Sequence, residues 1–320
     1  MEFGFNLPTR GPLGTREAIE TMAERGEARG FTWFAVPDHI VIPRSIASDY
    51  PYNEAQKMPG AELGDSFEQL TLMTWIAART KRAKLVTSVM VVPHRNCVHT
   101  AKIIATLDVL SGGRIAIGCG AGWMREEFEA LGAPDFDRRG RVTDEFLAAF
   151  KNLWCDDNPE FHGDFVDFAD VDFLPRPVQD PHPPLWIGGE SPPAVRRAAR
   201  YGDVWYPIGA NPRFPLNTAE RFRDGLARLA EAAEKQGRDP ADIGCAFWAN
   251  WQPDAPTPST PPEGQRHLFS GSDAALIDDV GTMHELGVQS LLFNVQRPTL
   301  EETLARIDWL ADDILAKATA

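Results

Sequence analysis

The stretch TLDVLSGGRIAIGCGAGW, residues 106–123, places a short apolar run between two groups of glycines. The first glycine pair follows the helix-like segment 97–110 and turns the chain into RIAIGC, which has the length and apolar character of a buried strand. Gly118 and Gly120 then leave that strand at its carboxyl end, where small residues let a flat ligand or a neighbouring backbone come close. The stretch therefore predicts a helix, a turn and a strand that ends in a close contact.

The spacing of these glycines argues against a dinucleotide-binding fingerprint. Gly118, Gly120 and Gly122 read GxGxG, whereas the fingerprint reads GxGxxG. It also needs an acidic residue about twenty positions further on, at the end of the next strand. The segment DFDRRGRVTDEF at 135–146 instead opens a helix. A Rossmann domain is therefore excluded.

Outward from this unit, strand-like runs alternate with amphipathic stretches of helical period along the chain. The strand-like runs lie at 2–7, 31–36, 83–92, 114–119, 184–189, 203–208, 243–250 and 289–295. The helical stretches lie at 15–29, 66–80, 97–110, 138–153, 192–201, 217–236, 273–286 and 299–316. Eight such units without a break in composition predict an α/β protein, a single (β/α)8 TIM barrel over residues 1–320, rather than a doubly wound sheet.

Three segments exceed the usual length of a connection in such a fold: 37–65, 156–183 and 251–272. The first and third leave the carboxyl ends of strands, the face on which barrel enzymes build their active sites. We expect them to be insertion loops at that face. The third is rich in proline and polar residues, and we expect it to act as a lid over a substrate.

Composition narrows the class of partner. The net charge of −14 and the absence of a basic run argue against nucleic acid. The four cysteines are far apart and form no CxxC pair, which predicts free thiols in a reducing cytosol rather than a zinc site or a disulfide framework. No apolar run approaches the length of a membrane span. We expect a soluble, cytoplasmic protein with no membrane partner.

Asp38 and His39 directly follow the second predicted strand, at the catalytic face. A histidine there can exchange a proton near neutral pH, and an adjacent acid can orient it. On the residues alone, a helix-capping aspartate beside a structural histidine is the preferred interpretation. The remaining histidines show no HxxxH or HxH spacing, and no nucleophile elbow or Walker loop is visible, so we predict neither a metal site nor covalent catalysis.

The run WIGGESPPAV at 186–195 passes from the fifth strand into a helix. Its glycines expose backbone N–H groups and Ser191 is a suitable N-cap, so the helix start predicts an anion site. Glu190 is unfavourable beside a phosphate unless its carboxylate points away. The segment YPIGA after the sixth strand supplies a second wall. The predicted wall residues are Gly188, Gly189, Glu190, Ser191, Ile208 and Gly209.

Together these segments resemble the luciferase-like monooxygenase superfamily. The resemblance rests on AKIIATLDVLSGGRIAIGCGAGW (101–123), WFAVPDHI (33–40), TSVMVVPHR (87–95), PPLWIGGESPPAVRRAARYGDVWYP (183–207) and LGVQSLLFNV (286–295), in order along nearly the whole chain. Members of the superfamily are TIM-barrel enzymes that bind FMN or the deazaflavin coenzyme F420. The resemblance implies a flavin-type ring across the end of the fourth strand, over Gly118 and Gly120.

The resemblance also implies roles for individual residues. His39, with Asp38 beside it, would be catalytic and face the cofactor and the substrate. The peptide bond between Ser88 and Val89 would be cis and lie against the ring. From the residues themselves, Trp123, Trp248 and Trp251 lie at or near strand ends, which suggests an aromatic pocket for a hydrophobic substrate, with packing of the barrel as the alternative. Trp123 stands where sugar-phosphate dehydrogenase relatives have a catalytic acid, which disfavours sugar-phosphate oxidation.

Two cofactor chemistries share this scaffold. FAVPDHIVIP (34–43), taken with the glycine-rich stretch, resembles the F420-dependent branch, which predicts hydride transfer to or from a small hydrophobic organic substrate. One alternative is an FMN-dependent two-component monooxygenase, and another is a catalytically silent flavin-fold binding protein. The implied partners are a reductase or an F420-reducing dehydrogenase that supplies reduced cofactor, and a second copy of the chain, because relatives are often homodimers.

Overall fold

The computed structural model describes residues 1–249 and 264–318. Within them a parallel barrel is formed by β1 (Glu2–Asn6), β2 (Trp33–Val36), β3 (Lys84–Thr87, resumed at Met90–Val91), β4 (Ile115–Gly120), β5 (Leu185–Gly188), β6 (Val204–Tyr206), β7 (Gly244–Ala249) and β8 (Ser290–Phe293). Each strand pairs with the next in sequence, and β1 pairs with β8, so the sheet closes. The predicted (β/α)8 barrel is confirmed.

The helices follow the predicted stretches closely. They are α1 (Arg16–Ala28), α2 (Gln69–Arg79), α3 (Cys97–Ser111), α4 (Arg125–Leu131), α5 (Arg139–Cys155), α6 (Pro192–Tyr201), α7 (Ala219–Lys235), α8 (Asp273–Glu285) and α9 (Leu300–Trp309), which continues as a π-helical segment, Leu310–Leu315. The short helix α4 is an addition to the sequence expectation. So is a small antiparallel hairpin, Phe161–His162 with Asp167–Phe168, inside the long segment before β5.

Alternation along the strands separates two apolar layers. On β2, Phe34 and Val36 belong to the core between the sheet and the helices, whereas Trp33 and Ala35 belong to a second cluster inside the barrel. Successive strand residues point to opposite faces, so one short apolar run supplies both layers. The barrel interior is therefore packed, and ligands can be held only at its ends.

The connection after β2 lies over the carboxyl end of β4. Ala47 N and Ser48 N donate to Glu126 Oε1 on α4, over 2.7 and 3.0 Å. This part of segment 37–65 is thus an insertion at the catalytic face, as expected. The third long segment lies largely within 250–263, outside the described residues, and so does most of the proposed lid. Its last part is anchored, since Leu268 N donates to Asn217 O.

Two further features concern partners. Among the helices of the described residues, none is long and apolar enough to cross a membrane. In the same part of the chain, no group of three or more histidine, cysteine or carboxylate side chains is arranged to hold a metal ion.

Candidate active site

β3 is interrupted at the mouth of the barrel, where the peptide bond between Ser88 and Val89 is cis, as the family resemblance implied. Hydrogen bonds join the interrupted part of β3 to both neighbouring strands. Ser88 N donates to Val36 O on β2, and Thr87 Oγ1 donates to Gly118 O on β4, each over 2.8 Å. The Ser88 hydroxyl also lies 3.1 Å from the Tyr206 hydroxyl on β6. The interruption is thus a fixed feature of the barrel mouth.

The glycines of β4 and β5 make room for this break. A Cβ atom at Gly118 would overlap the carbonyl oxygen of Thr87. At Gly120 it would lie 2.7 Å from Val89 Cγ2, and at Gly188 it would lie 3.0 Å from Val89 Cγ1. The close contact predicted at the end of β4 is therefore with the neighbouring strand. Thr87 and Val89 fill the space that side chains at Gly118, Gly120 and Gly188 would need, and direct contact of these glycines with a ligand stays a prediction.

His39 is held by a carboxylate that the sequence analysis did not single out. Its Nδ1 lies 2.8 Å from Oε2 of Glu127 on α4. The other oxygen, Glu127 Oε1, accepts from Ile40 N over 2.8 Å and from Val41 N over 3.3 Å. The Glu127 side chain is 1% exposed and that of His39 is 16% exposed. Since Nδ1 is engaged, Nε2 is the ring nitrogen that remains for a ligand.

Asp38 does not orient the imidazole of His39. The two carboxylate oxygens of Asp38 accept from both terminal nitrogens of Arg95, each over 2.8 Å, and one of them also accepts from Val91 N. Burial alone would raise the pKa of Asp38, but the Arg95 guanidinium holds that pKa below its ordinary value. The expectation that Asp38 orients His39 is wrong, because Asp38 ties the end of β2 to β3.

A second histidine is buried in the same cluster. His94 packs edge-on against Phe128, and its Nδ1 lies 4.0 Å from Glu127 Oε1. Burial lowers the pKa of His94 to about 4, although the Glu127 carboxylate opposes the shift. Neither ring nitrogen has a hydrogen-bond partner within the described residues. His94 is therefore a neutral imidazole at neutral pH.

Glu190 turns its carboxylate toward the loop after β6. It accepts from Ile208 N over 2.6 Å and from Asn211 Nδ2 over 3.0 Å. Burial raises the pKa of Glu190 to about 7, against the lowering effect of these hydrogen bonds. The carboxylate thus points away from the start of α6, which was the condition for an anion site there.

The start of α6 offers few backbone donors, as its two prolines predict. Ser191 is the N-cap, and its hydroxyl accepts from Ala194 N over 3.4 Å. Pro192 and Pro193 occupy the first two helical positions and carry no N–H group. The first N–H group of the helix, that of Ala194, therefore already donates to the Ser191 hydroxyl oxygen. The hydroxyl proton of Ser191 is the donor that this residue can offer to a ligand.

The other residues of the predicted wall, Gly189, Ile208 and Gly209, are held by contacts with the neighbouring strands and the core. Gly189 has φ +100°, a conformation that favours glycine, and its carbonyl accepts from the Trp205 indole over 3.0 Å. Ile208 forms a β-bridge with Trp248 of β7. A Cβ at Gly209 would lie 3.0 Å from Phe247 Cζ, so Gly209 packs against the outer core.

Aromatic side chains from the loop after β2 join one of the predicted pocket tryptophans. The rings of Trp123 and Tyr50 meet edge to face with centroids 5.2 Å apart, and Tyr50 meets Tyr52 at 5.5 Å. Trp248 lies on β7, a different wall of the mouth. Trp251 lies outside the described residues. The loop thus brings two tyrosines to the mouth that no sequence motif indicated.

A model of the luciferase-like monooxygenase family matches residues 1–252. The chain belongs to this family. Membership supports an enzyme of the oxidoreductase class, in agreement with the resemblance stated from the sequence.

Three comparisons show where this luciferase-like protein stands in the family. An FMNH2-dependent dimethylsulfone monooxygenase of Pseudomonas putida is 35% identical over 165 residues, covering 51% of this chain but only 45% of that protein. An uncharacterized protein of Mycobacterium tuberculosis is 31% identical over 304 residues, 92% of this chain and 94% of the relative. The structure of an F420-dependent secondary alcohol dehydrogenase with an F420–acetone adduct superposes with a TM-score of 0.75 at 18% identity, over 99% and 98% of the two chains, which supports the fold.

In this luciferase-like protein, two arginines place positive charge beside the end of β4. Arg197 is buried, and its Nε lies 2.6 Å from Asp144 Oδ1. Arg139 stacks on Phe136 and donates from Nε to Gly122 O over 3.1 Å. Within the described residues Arg139 has no carboxylate in ion-pair range. It is a local cation in a chain that is acidic as a whole.

Proposed function

We propose that this chain is an F420-dependent oxidoreductase that interconverts a small hydrophobic alcohol and the matching carbonyl compound. The observation that carries the proposal is the His39–Glu127 pair. It presents an imidazole Nε2 with no described protein partner at the mouth of the barrel. Oxidation of an alcohol requires a group that removes the hydroxyl proton, and a positioned histidine is the commonest such group.

The residues at the mouth suit a flavin-type ring. The cis bond at Ser88–Val89 presents backbone at the barrel mouth, with glycines of β4 and β5 beside it. The Trp123–Tyr50 contact supplies an aromatic surface there. We propose that the ring lies against Val89. When bound, a deazaflavin supplies a carbon that accepts or donates a hydride and does not activate oxygen.

A charged tail on the cofactor needs donors and a compensating charge. We propose that the phosphate lies near Gly189 and the hydroxyl of Ser191, with Arg139 and Arg197 supplying positive charge. Glu190 does not oppose this placement, because its carboxylate points toward Ile208 and burial favours its neutral form. The prolines of α6 limit the backbone donors, so we expect the hydroxyl and the arginines to contribute most of the affinity.

His39 performs the proton step in this proposal. With Nδ1 bonded to Glu127, Nε2 would take the hydroxyl proton of the alcohol, and acceptance of the hydride from the alcohol carbon is the chemistry that a bound deazaflavin would supply. In the reverse direction the imidazolium returns that proton to the carbonyl oxygen. Trp248 and the tyrosines of the loop exclude water and favour an apolar substrate.

The dimethylsulfone monooxygenase relative favours a second candidate, an FMNH2-dependent monooxygenase. A separate reductase would then supply the reduced flavin. In that case His39 would hold or move a proton at the substrate or the flavin, and the same aromatic residues would exclude water.

Cofactor titration distinguishes the candidates. Purified protein is titrated with F420 and with FMN, each oxidised and reduced, and dissociation constants are compared. Secondary alcohols with F420 and small sulfones with FMNH2 are then supplied, and deazaflavin reduction and oxygen uptake are followed. Tighter F420 binding with alcohol-dependent reduction supports the proposal. Preferential FMN binding with oxygen uptake supports the monooxygenase, and binding without turnover over both panels supports a silent flavin-fold protein.

A further inference from the structure

The proton-transfer histidine is joined to a carboxylate far away in the sequence. Glu127 lies on α4, 88 residues from His39, and reaches it across the mouth of the barrel. The helix has seven residues and no side-chain hydrogen bond at its own N-cap. Its buried glutamate nevertheless makes three contacts with the chain at 39–41. The placement of this side chain therefore serves the segment that carries His39.

The chemistry of these contacts fixes the proton on the ring. A carboxylate oxygen accepts hydrogen bonds and cannot donate them. Oε1 of Glu127 takes the N–H groups of Ile40 and Val41, and Oε2 faces Nδ1 of His39. The proton of a neutral imidazole must then be on Nδ1, which leaves the lone pair on Nε2.

We propose that Glu127 is a positioning residue that holds His39 in its Nδ1–H tautomer, so that Nε2 is the base for the substrate. The inference rests on the proposed function for its catalytic meaning. The tautomer itself is a property of the cofactor-free protein. A carboxylate that selects an imidazole tautomer is a general device of proton-transfer sites.

The neighbouring charged groups do not duplicate this role. Asp38 is engaged by Arg95 and by Val91 N. His94 lies 4.0 Å from the Glu127 carboxylate, outside hydrogen-bond range. Among the titratable groups of the cluster, Glu127 is the one whose oxygen meets the His39 ring.

Glu126 offers a matched control on the same turn of α4. It also anchors the loop after β2, through the N–H groups of Ala47 and Ser48, over 2.7 and 3.0 Å. Its hydrogen bonds within the described part of the chain include none to an imidazole. A glutamine at position 126 keeps an oxygen for these N–H groups, whereas a glutamine at 127 can turn its NH2 group to Nδ1 of His39 and favour the opposite tautomer.

The first measurement needs no cofactor. Protein labelled with 15N at histidine is examined by proton–nitrogen correlation NMR, with His39 assigned from the spectrum of His39→Asn. We expect the Nδ1–H tautomer in the wild type and in Glu126→Gln, and the Nε2–H tautomer in Glu127→Gln. An Nε2–H tautomer of His39 in the wild type would overturn the proposal even if Glu127→Gln did not fold.

The second measurement is turnover. In Glu127→Gln we expect kcat to fall about 10²-fold, the usual worth of a positioned proton-transfer group, with KM within a few-fold of the wild type. Glu126→Gln should stay within about twofold, as expected for a residue outside the proton path. The same tautomer and equal kcat in the two variants would reject the role of Glu127. Absence of turnover with either F420 or FMN would contradict the proposed function. The tautomer of His39 would still be decided by the NMR measurement on the cofactor-free protein.

Discussion

Two buried carboxyl groups at the mouth, Asp38 and Glu190, differ in the direction of their pKa shifts. Each accepts hydrogen bonds from the backbone of a neighbouring loop or strand. Burial pushes the pKa of both upward, but the Arg95 guanidinium reverses the shift at Asp38, whereas the hydrogen bonds from Ile208 N and the Asn211 amide do not offset burial at Glu190. The comparison teaches that the partner, rather than depth of burial, decides whether a carboxyl group here is ionised.

The same contrast divides the mouth into two sides. The charged side, defined by Asp38, His39, Arg95 and Glu127, joins two carboxylates to a guanidinium and an imidazole through hydrogen bonds. On the neutral side, defined by Glu190, Ser191, Ile208 and Asn211, burial raises the pKa of Glu190 to about 7 against the lowering effect of the hydrogen bonds from Ile208 N and Asn211 Nδ2. We assign proton transfer to the charged side and the cofactor tail to the neutral side.

Removal of Arg95 should give the largest effect. Arg95→Ala leaves Asp38 buried without its cation, and breaking one partner of a buried ion pair costs about 3–5 kcal/mol of the free energy of unfolding. The control is Arg141→Ala, because the Arg141–Asp164 pair is 65% and 59% exposed. Such a surface pair contributes about 0–1 kcal/mol. Urea unfolding at pH 7 measures both, and equal losses would show that the charged side is not held by its ion pair.

Loss of the imidazole should come next. His39→Ala is expected to lower kcat about 10²-fold, close to 2.7 kcal/mol, while the cofactor Kd stays within a few-fold of the wild type. Stopped-flow turnover and a fluorescence titration give the two numbers separately. A large rise in Kd with an unchanged kcat would move His39 from the proton step to cofactor binding.

The sequence predicted the strands and helices because their signals are local. The apolar runs and helical periods lie within single elements, and the glycines after β4 mark a close contact. The partner of that contact was not visible. The sequence allowed either a flat ligand or a neighbouring backbone, and only the folded chain shows Val89 beside Gly120.

The site was less predictable because its contacts join distant parts of the chain. Glu127 lies in MREEFEALG, where adjacent glutamates resemble an exposed helix face, and the helix is short. Its one signal was position, shortly after a strand end at the catalytic face. Asp38 looked like a partner of His39 because the two are adjacent in sequence, yet Arg95 takes its oxygens. Adjacency in sequence therefore gave the wrong partner for Asp38, because the guanidinium of Arg95, 57 residues away, takes both of its oxygens.

The raised pKa of Glu190 predicts a pH-dependent stability. The folded state binds the Glu190 proton more tightly than the unfolded chain, so the contribution of this group to stability is fully present below about pH 4.5 and is lost as the pH rises through about 7. Glu190→Gln removes this dependence. We expect the stability of the variant relative to the wild type to rise by about 2–3 kcal/mol between pH 5 and pH 8. Parallel curves of unfolding free energy against pH would show that Glu190 is ionised in the fold.

Replacement of the Ser191 hydroxyl should give the smallest effect, and one opposite in kind to that of His39→Ala. Pro192 and Pro193 lack N–H groups, so Ala194 N is the donor that loses its cap, at a cost of about 1 kcal/mol. Ser272→Ala is the control, because Ser272 caps α8 through Ala275 N over a similar distance, 3.3 Å. Both variants should lose similar stability in thermal unfolding. Only Ser191→Ala should also weaken cofactor binding, by a few-fold, with kcat unchanged, because a hydroxyl hydrogen bond to an anion contributes about 1 kcal/mol or somewhat more. Equal cofactor affinity in the two variants would show that the Ser191 hydroxyl does not bind the cofactor tail, and would favour a position of the tail nearer Arg139.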